Sequence, residues 1–350
     1  MRKSRREAAI SITILAACLF TCTAVTCVPA GIAHAAEFVP PAELLAAAKR
    51  EGKLVLYTAN FLDTEQTVSR RFSERFGIQI EIVRAPTGAL ITRIKTEAAA
   101  NRIIADVIDI SDRVQARAMN ELFAPYAPPN AADYPAVART GDRLWPRSGN
   151  AWTITYNSAL VTDPPKSWAD LTRPEFGKQR LGQTVVSAGG GPFNRAMFER
   201  KVLGEDYWAK QAALKPTLYP SQAQMVDAMI RGDIAIAPLV TNLAIPLAAQ
   251  GAPLKWFFAP EGVPVTVFCA GMAKGAVHPN AARLFLDWAL STEGQALMVE
   301  LGSFSALARA PMPQGVDAAA IKAWYPDDAE IAKVFKSWTD DWNRAYGYRQ

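Results

Sequence analysis

From Lys53 to Leu290 the sequence switches repeatedly between two hydrophobic periods, and this alternation limits the fold more than any other feature. Short apolar runs predict strands over Lys53–Ala59, Ile78–Ala85, Ala105–Ser111, Ala151–Tyr156, Thr184–Ala188, Asp233–Leu239, Leu254–Ala259 and Val265–Gly271. Amphipathic stretches between most of them predict helices over Pro41–Arg50, Thr64–Phe76, Leu90–Ala100, Asn194–Val202, Gln222–Ile230 and Ala281–Leu290. Strands joined through helices build parallel-type sheets covered on both faces, so the spacing implies an α/β architecture. Ile331, Val334, Phe335, Trp338, Trp342 and Tyr346 recur at helical spacing and predict one apolar stripe packed into a core. No internal repeat, low-complexity tract or long linker interrupts the pattern.

Residues 1–35 read as a cleavable signal peptide. Arg2, Lys3, Arg5 and Arg6 precede the mostly apolar stretch Ala8 to Val28, and Ala33-His34-Ala35 supplies the small residues at −3 and −1 that signal peptidase recognises. The mature chain is expected to begin at Ala36, in the periplasm. A competing reading takes Leu15-Ala16-Ala17-Cys18 as a lipoprotein box that leaves Cys18 lipidated, but apolar sequence continues past it through Leu19 and Phe20. Losing the four basic residues together with Glu7 lowers the formal net charge from +5 to +2. No basic stripe suited to nucleic acid then remains. No other apolar run approaches the ~18 residues of a membrane span, so the mature protein is expected to be soluble. Residues 36–350 suffice for two lobes with separate cores.

Cysteine and histidine usage narrows the chemistry. Cys18, Cys22 and Cys27 lie in the leader, so only Cys269 remains and no internal disulfide can form. The one mature histidine, His278, precedes Pro279 at a helix start and reads as a surface cap residue. Histidine-based triads and His-rich metal sites need more than this, so the sequence points away from an enzyme and implies neither cofactor nor metal.

The most specific signature lies in PEGVPVTVFCAGMAKGAVHPNAARLFLDWALSTEGQALM, where a strand ends at Gly271, a Lys274-Gly275-Ala276 turn follows, and Pro279 opens an amphipathic helix. Thr292 and Gln295 there suggest a capping box for the next helix. This string resembles the matching region of extracellular solute-binding proteins of ABC importers, in the branch that includes ferric-iron, phosphonate, sugar-phosphate and polyamine binders. AAAKREGKLVLYTA, RAPTGALITRIKTEA, ADVIDISD and AWTITYNSALV resemble successive elements of the same family, so the likeness runs over nearly the whole mature chain.

The resemblance implies a two-lobe type II periplasmic binding protein fold with the ligand cleft between the lobes. Lobe one would comprise 36–152 plus 265–308, and lobe two 153–264 plus 309–350, with hinges near Trp152 and Pro264. It further implies a monomer that carries a small solute to an inner-membrane ABC permease with its cytoplasmic ATPase.

In such a fold, loops at strand C-termini and helix N-termini face the cleft, where N–H groups and the helix dipole favour anions. The candidate ligand residues are Thr58, Asn60, Phe61, Thr87, Gly88, Ser111, Asp112, Trp152, Ser187, Gly189, Gly190, Gly191, Phe193, Arg195, Thr241 and Asn242. The Gly189–Gly191 run lets backbone approach an oxyanion closely; it is no P-loop, and a plain turn is the competing reading. Arg195 and Arg84 could pair with an anion, Asp63 and Asp112 could bind an amine or cap a helix, and Tyr57 could touch a solute. Ferric binders of the family place adjacent tyrosines where this chain has Thr241-Asn242-Leu243-Ala244, which disfavours free iron and suits carboxylate, phosphonate or sugar-phosphate solutes, anionic or zwitterionic. Ferric or ferric-chelate binding, a periplasmic ligand sensor and an enzyme on the same scaffold stay open as alternatives.

Overall fold

The computed structural model describes residues 36–135, 139–177, 180–307 and 310–349, so the predicted signal peptide lies outside them. The first lobe follows the predicted alternation: α1 (Ala42–Glu51), β1 (Lys53–Thr58), α2 (Leu62–Phe76), β2 (Gln79–Arg84), α3 (Thr87–Ala99), β3 (Val107–Ile110) and α4 (Arg113–Ala118). Then come β4 (Trp145–Asn157), β5 (Gly182–Thr184), α5 (Gly191–Phe198), α6 (Tyr207–Ala212), β6 (Thr217–Tyr219), α7 (Gln222–Arg231), β7 (Ile236–Val240), α8 (Thr241–Ala249) and β8 (Leu254–Phe257). The chain returns through β9 (Val263–Met272), α9 (Pro279–Ala289) and α10 (Thr292–Glu300) and ends with β10 (Ala323–Trp324) and α11 (Asp328–Tyr346).

β1 shows why the strands read as continuous apolar runs. Leu54 and Leu56 pack on one face with Phe72, Phe285 and Trp288, while Val55 and Tyr57 pack on the other with Leu90, Ile94 and Ile108. A parallel strand buried on both faces has no polar alternation to display. α1 and α2 each stop at a left-handed glycine, Gly52 at φ 74° and Gly77 at φ 73°, which feeds the next strand.

The principal sheet runs β2-β1-β3-β9-β4-β7, with β1 parallel to β2 and β3, and β9 antiparallel to β3 and β4. β4 changes partner midway: Trp145–Ala151 pairs with β9, and Trp152–Tyr156 pairs with β7. β4 and β9 therefore cross between the lobes side by side. β5 and β6 form a separate parallel pair, and α11 lays Trp342 and Tyr346 over Val185, Val186 and Trp208.

Several sequence expectations are corrected. The strand predicted over Thr184–Ala188 ends at Thr184, because Val186–Ala188 turns into a short 3-10 helix before the glycines. α10 is capped by Ser291, whose Oγ accepts from Gly294 N, and Thr292 is already helical. α8 begins at Thr241, which puts Asn242 inside its first turn. His278 does precede α9, but it is half-buried and its side chain does not cap the helix: its Nδ1 lies 2.8 Å from buried Asp106 Oδ2.

Candidate functional site

Between the lobes a cavity of about 70 Å³ opens at the ends of β1, β2 and β3 on one side and β5, β6 and β7 on the other. Lobe one contributes Phe61, Arg84, Pro86, Thr87 and Ser111; lobe two contributes Thr184, Gly189, Gly191, Ser221 and Gln222. Asn150, Thr266 and Phe268 line it from β4 and β9. A cavity of this size holds several water-sized groups, room for the head group of a small solute.

Its electrostatics have one sign. Three helices point their N-termini at it: α3 from Pro86 and Thr87, α5 from Gly191, and α7 from Ser221 and Gln222. No side chain caps α3 or α5, which leaves first-turn N–H groups facing the opening. Ser221 caps α7 through Gln224 N at 3.3 Å. Arg84 Nε donates to the Asn60 carbonyl at 3.1 Å, and burial lowers the guanidinium's pKa with no carboxylate offsetting it. Among the described lining residues there is no Asp, Glu, His, Cys or Tyr.

The glycine run does two jobs. Gly189 and Gly191 line the cavity, whereas Gly190 (φ 54°, ψ −125°) presses against lobe one: a Cβ there would sit 2.2 Å from Ser111 Oγ. Ser111 itself shares a 2.8 Å hydrogen bond with Thr87. Gly190, Phe193, Ser111 and Asp112 border a second, smaller crevice beside the first. There Asp112 caps α4 by accepting from Gln115 N, and Phe193 stacks on Phe335 with centroids 4.7 Å apart, so both also hold structure.

The remaining candidates are placed off the lining. Thr58 and Asn60 are buried beneath it, where Asn60 N donates to Thr58 Oγ1 and Asn60 Nδ2 to Glu65 Oε1. Asn242 reaches across from α8 to donate to Asn60 Oδ1 at 3.2 Å, and Thr241 Oγ1 accepts from Ala151 N at 3.4 Å. Trp152 lies under Gly191 and donates to Thr266 Oγ1. Gly88 and Ser187 are half-buried beside the opening. Arg195 is fully buried away from the cavity, ion-paired with Glu199 and stacked 5.4 Å over Trp152. Tyr57 likewise spends its hydroxyl on Glu97 at 2.7 Å.

Sequence reasoning missed Asn150, Thr184, Ser221, Gln222, Thr266 and Phe268 as lining residues. Ser221 before the predicted Gln222 helix was the available signal, but β6 is three residues long and too short to reveal a strand end ahead of it.

A larger cavity of about 670 Å³ lies on the other face of β4 and β9, against Ser148, Val265, Val267, Phe304 and Tyr325. Its Arg113 and Arg117 are both held by Asp328, at 3.3 and 3.2 Å. Among the described residues no helix is long and apolar enough to cross a membrane.

Comparison with known proteins agrees with this architecture. Residues 54–302 match the family described as bacterial extracellular solute-binding protein. An uncharacterized protein of Haemophilus influenzae is 25% identical over 280 residues, 73% of this chain and 78% of that protein. Iron-bound HitA from Pseudomonas aeruginosa superposes with a TM-score of 0.69 at 21% identity, over 83% of this chain and 99% of its own. The periplasmic binding protein AfuA from Actinobacillus pleuropneumoniae, with fructose-6-phosphate bound, gives 0.74 at 19% identity, over 85% and 100%. At such identities the superpositions establish the two-lobed fold alone.

Proposed function

The chain belongs to the bacterial extracellular solute-binding proteins, and from that premise we propose that it is the solute receptor of an ABC importer, capturing a small anionic solute in the periplasm. The monomer hands that solute to an inner-membrane permease driven by a cytoplasmic ATPase. Lobe one, 36–152 plus 265–308, and lobe two, 153–264 plus 309–350, close on the solute, and β4 and β9 absorb the motion.

The observation that carries the anion reading is Arg84, a desolvated guanidinium without a carboxylate partner in a lining that also gathers three helix N-termini. A half-buried cation without a counter-charge is costly, and an anionic solute removes that cost on binding. The fructose-6-phosphate held by AfuA is an anion of this general kind. The iron held by HitA is a hard cation that asks for anionic oxygen ligands, which the described lining residues do not offer.

Mass spectrometry of protein purified under native conditions tests the reading. An anionic solute should accompany the parent protein and be lost from Arg84→Gln. A cation or metal retained equally by both proteins would sink it.

A further inference from the structure

The hydrogen-bonding polarity of the lining narrows the anion. Gln222, 8% exposed, accepts from Val240 N through Oε1 at 3.0 Å. A backbone N–H can only donate, so the amide orientation is fixed and Nε2 is left for a ligand. Asn150, 1% exposed, accepts from Ser303 through Oδ1 and likewise offers Nδ2. Thr266 Oγ1 accepts from Trp152 Nε1, which leaves its own hydrogen to donate. The Thr184 hydroxyl, buried in the lining, has no partner among the described residues. With Arg84, these groups give the cavity side-chain donors that no acceptor among the described residues uses, while each amide oxygen already accepts one bond.

An ammonium group would meet no carboxylate there and would face Arg84, so amines and zwitterions are disfavoured. A phosphonate or phosphate near neutral pH carries either a proton, which asks for an acceptor, or a second negative charge, which the one guanidinium does not balance. A carboxylate matches the single charge but presents two coplanar oxygens. Donors come from three separate elements, β2 (Arg84), α7 (Gln222) and β4 (Asn150), so a head group with three oxygens can give each donor its own acceptor. Phe61 and Phe268 supply an apolar wall for whatever chain bears the head group.

Resting on the anion reading, we propose that the site selects a fully deprotonated monoanion lacking an ammonium group, with an alkyl sulfonate as its best-fitting class. Calorimetric titration with ethanesulfonate, propionate, ethylphosphonate and taurine at neutral pH tests the selectivity. Ethanesulfonate should bind most tightly and taurine at least tenfold more weakly. Gln222→Glu retains an acceptor for Val240 N but adds a charge; it should weaken ethanesulfonate at least tenfold while its unliganded melting temperature shows that the fold persists. If that variant does not fold, Gln222→Met supplies the same comparison by deleting the donor, with the same tenfold loss expected. Taurine or ethylphosphonate binding as tightly as ethanesulfonate overturns the selectivity and leaves the anion reading standing. No binding of ethanesulfonate also overturns it, and a cationic solute copurifying with the parent would bring down the anion reading as well.

Discussion

Gly190→Ala separates the two roles of the glycine run. Gly190 has φ 54° and ψ −125°, and an added Cβ would lie 2.2 Å from Ser111 Oγ and 3.3 Å from Ser111 Cβ, across the cleft. Gly189 is the control for stability: its φ is also positive, at 73°, but a Cβ there meets nothing within 4 Å. Both substitutions carry backbone strain of about 1–3 kcal/mol, so both should lower the unliganded melting temperature. Only Gly190→Ala adds a clash between the lobes, and an open form escapes that clash. Its cost therefore falls on solute affinity, with each ~1.4 kcal/mol of bias toward the open form weakening binding tenfold. Adding Ser111→Gly removes the opposing atoms and should recover affinity without recovering stability, a positive coupling in a double-mutant cycle. The assay pairs calorimetric titration with thermal unfolding of the cycle's four proteins, with Gly189→Ala melted alongside them. If Ser111→Gly rescues nothing, the lobe-to-lobe contact does not control closure and the reasoning fails.

Two further substitutions test groups that sequence and structure treat differently. Arg195→Met strands Glu199, whose pKa burial already raises, and should destabilise by about 3–5 kcal/mol; pairing it with Glu199→Gln should recover most of that loss and leave anion affinity intact, whereas lost affinity in the stable double variant would return Arg195 to the site. Burial also raises the carboxyl of Asp287 from 3.8 to about 6, with Tyr126 donating to it at 2.5 Å. The native state thus holds a proton that the unfolded chain has released, and this carboxyl's contribution to stability declines as pH rises from about 4 to about 6. Asp287→Asn cannot ionise, so its stability relative to the parent should grow by up to about 3 kcal/mol between pH 4 and pH 7, and a pH-independent difference in denaturant titrations would contradict the assignment.

The parts legible in the sequence are those held by local periodicity. β1, α2, β2 and α9 appear within a few residues of their predicted places, because an apolar run or stripe of normal length reports burial directly. What escaped depends on partners far along the chain. β6 spans three residues, shorter than any readable period, and α8 carries Pro246 inside it, which a sequence reading takes as a break. Arg195 looked like an anion ligand because it follows the glycines, yet Glu199 stands four residues on and one helical turn away; that i,i+4 pairing was the readable warning. The cavity draws Arg84, Asn150, Thr184, Gln222 and Thr266 from five separate elements, so their convergence is a property of the sheet order and appears in no single stretch.

The balance between open and closed lobes follows from which contacts cross the cleft. Within lobe one, Arg147 is clamped between Glu65 and Asp109, all three fully buried. Breaking such a pair costs about 3–5 kcal/mol, and burial raises the Asp109 carboxyl without uncoupling it from the arginine. That network reaches the cleft through Asn60, which bonds Glu65 with its amide and Arg84 with its carbonyl. At the solute cavity itself the bond between the lobes is far weaker. Asn242 gives Asn60 one neutral hydrogen bond at 3.2 Å, worth about 0.5–1.5 kcal/mol, and its own Oδ1 is buried without a partner, at a cost of about 1–3 kcal/mol. Opening would let water reach that oxygen, so the asparagine pair gives little or no net drive toward closure. Lobe one is therefore built to move as a rigid body; away from the cleft Asp328 of lobe two also holds Arg113 and Arg117 of lobe one, and the solute that neutralises Arg84 adds its binding free energy to those ion pairs.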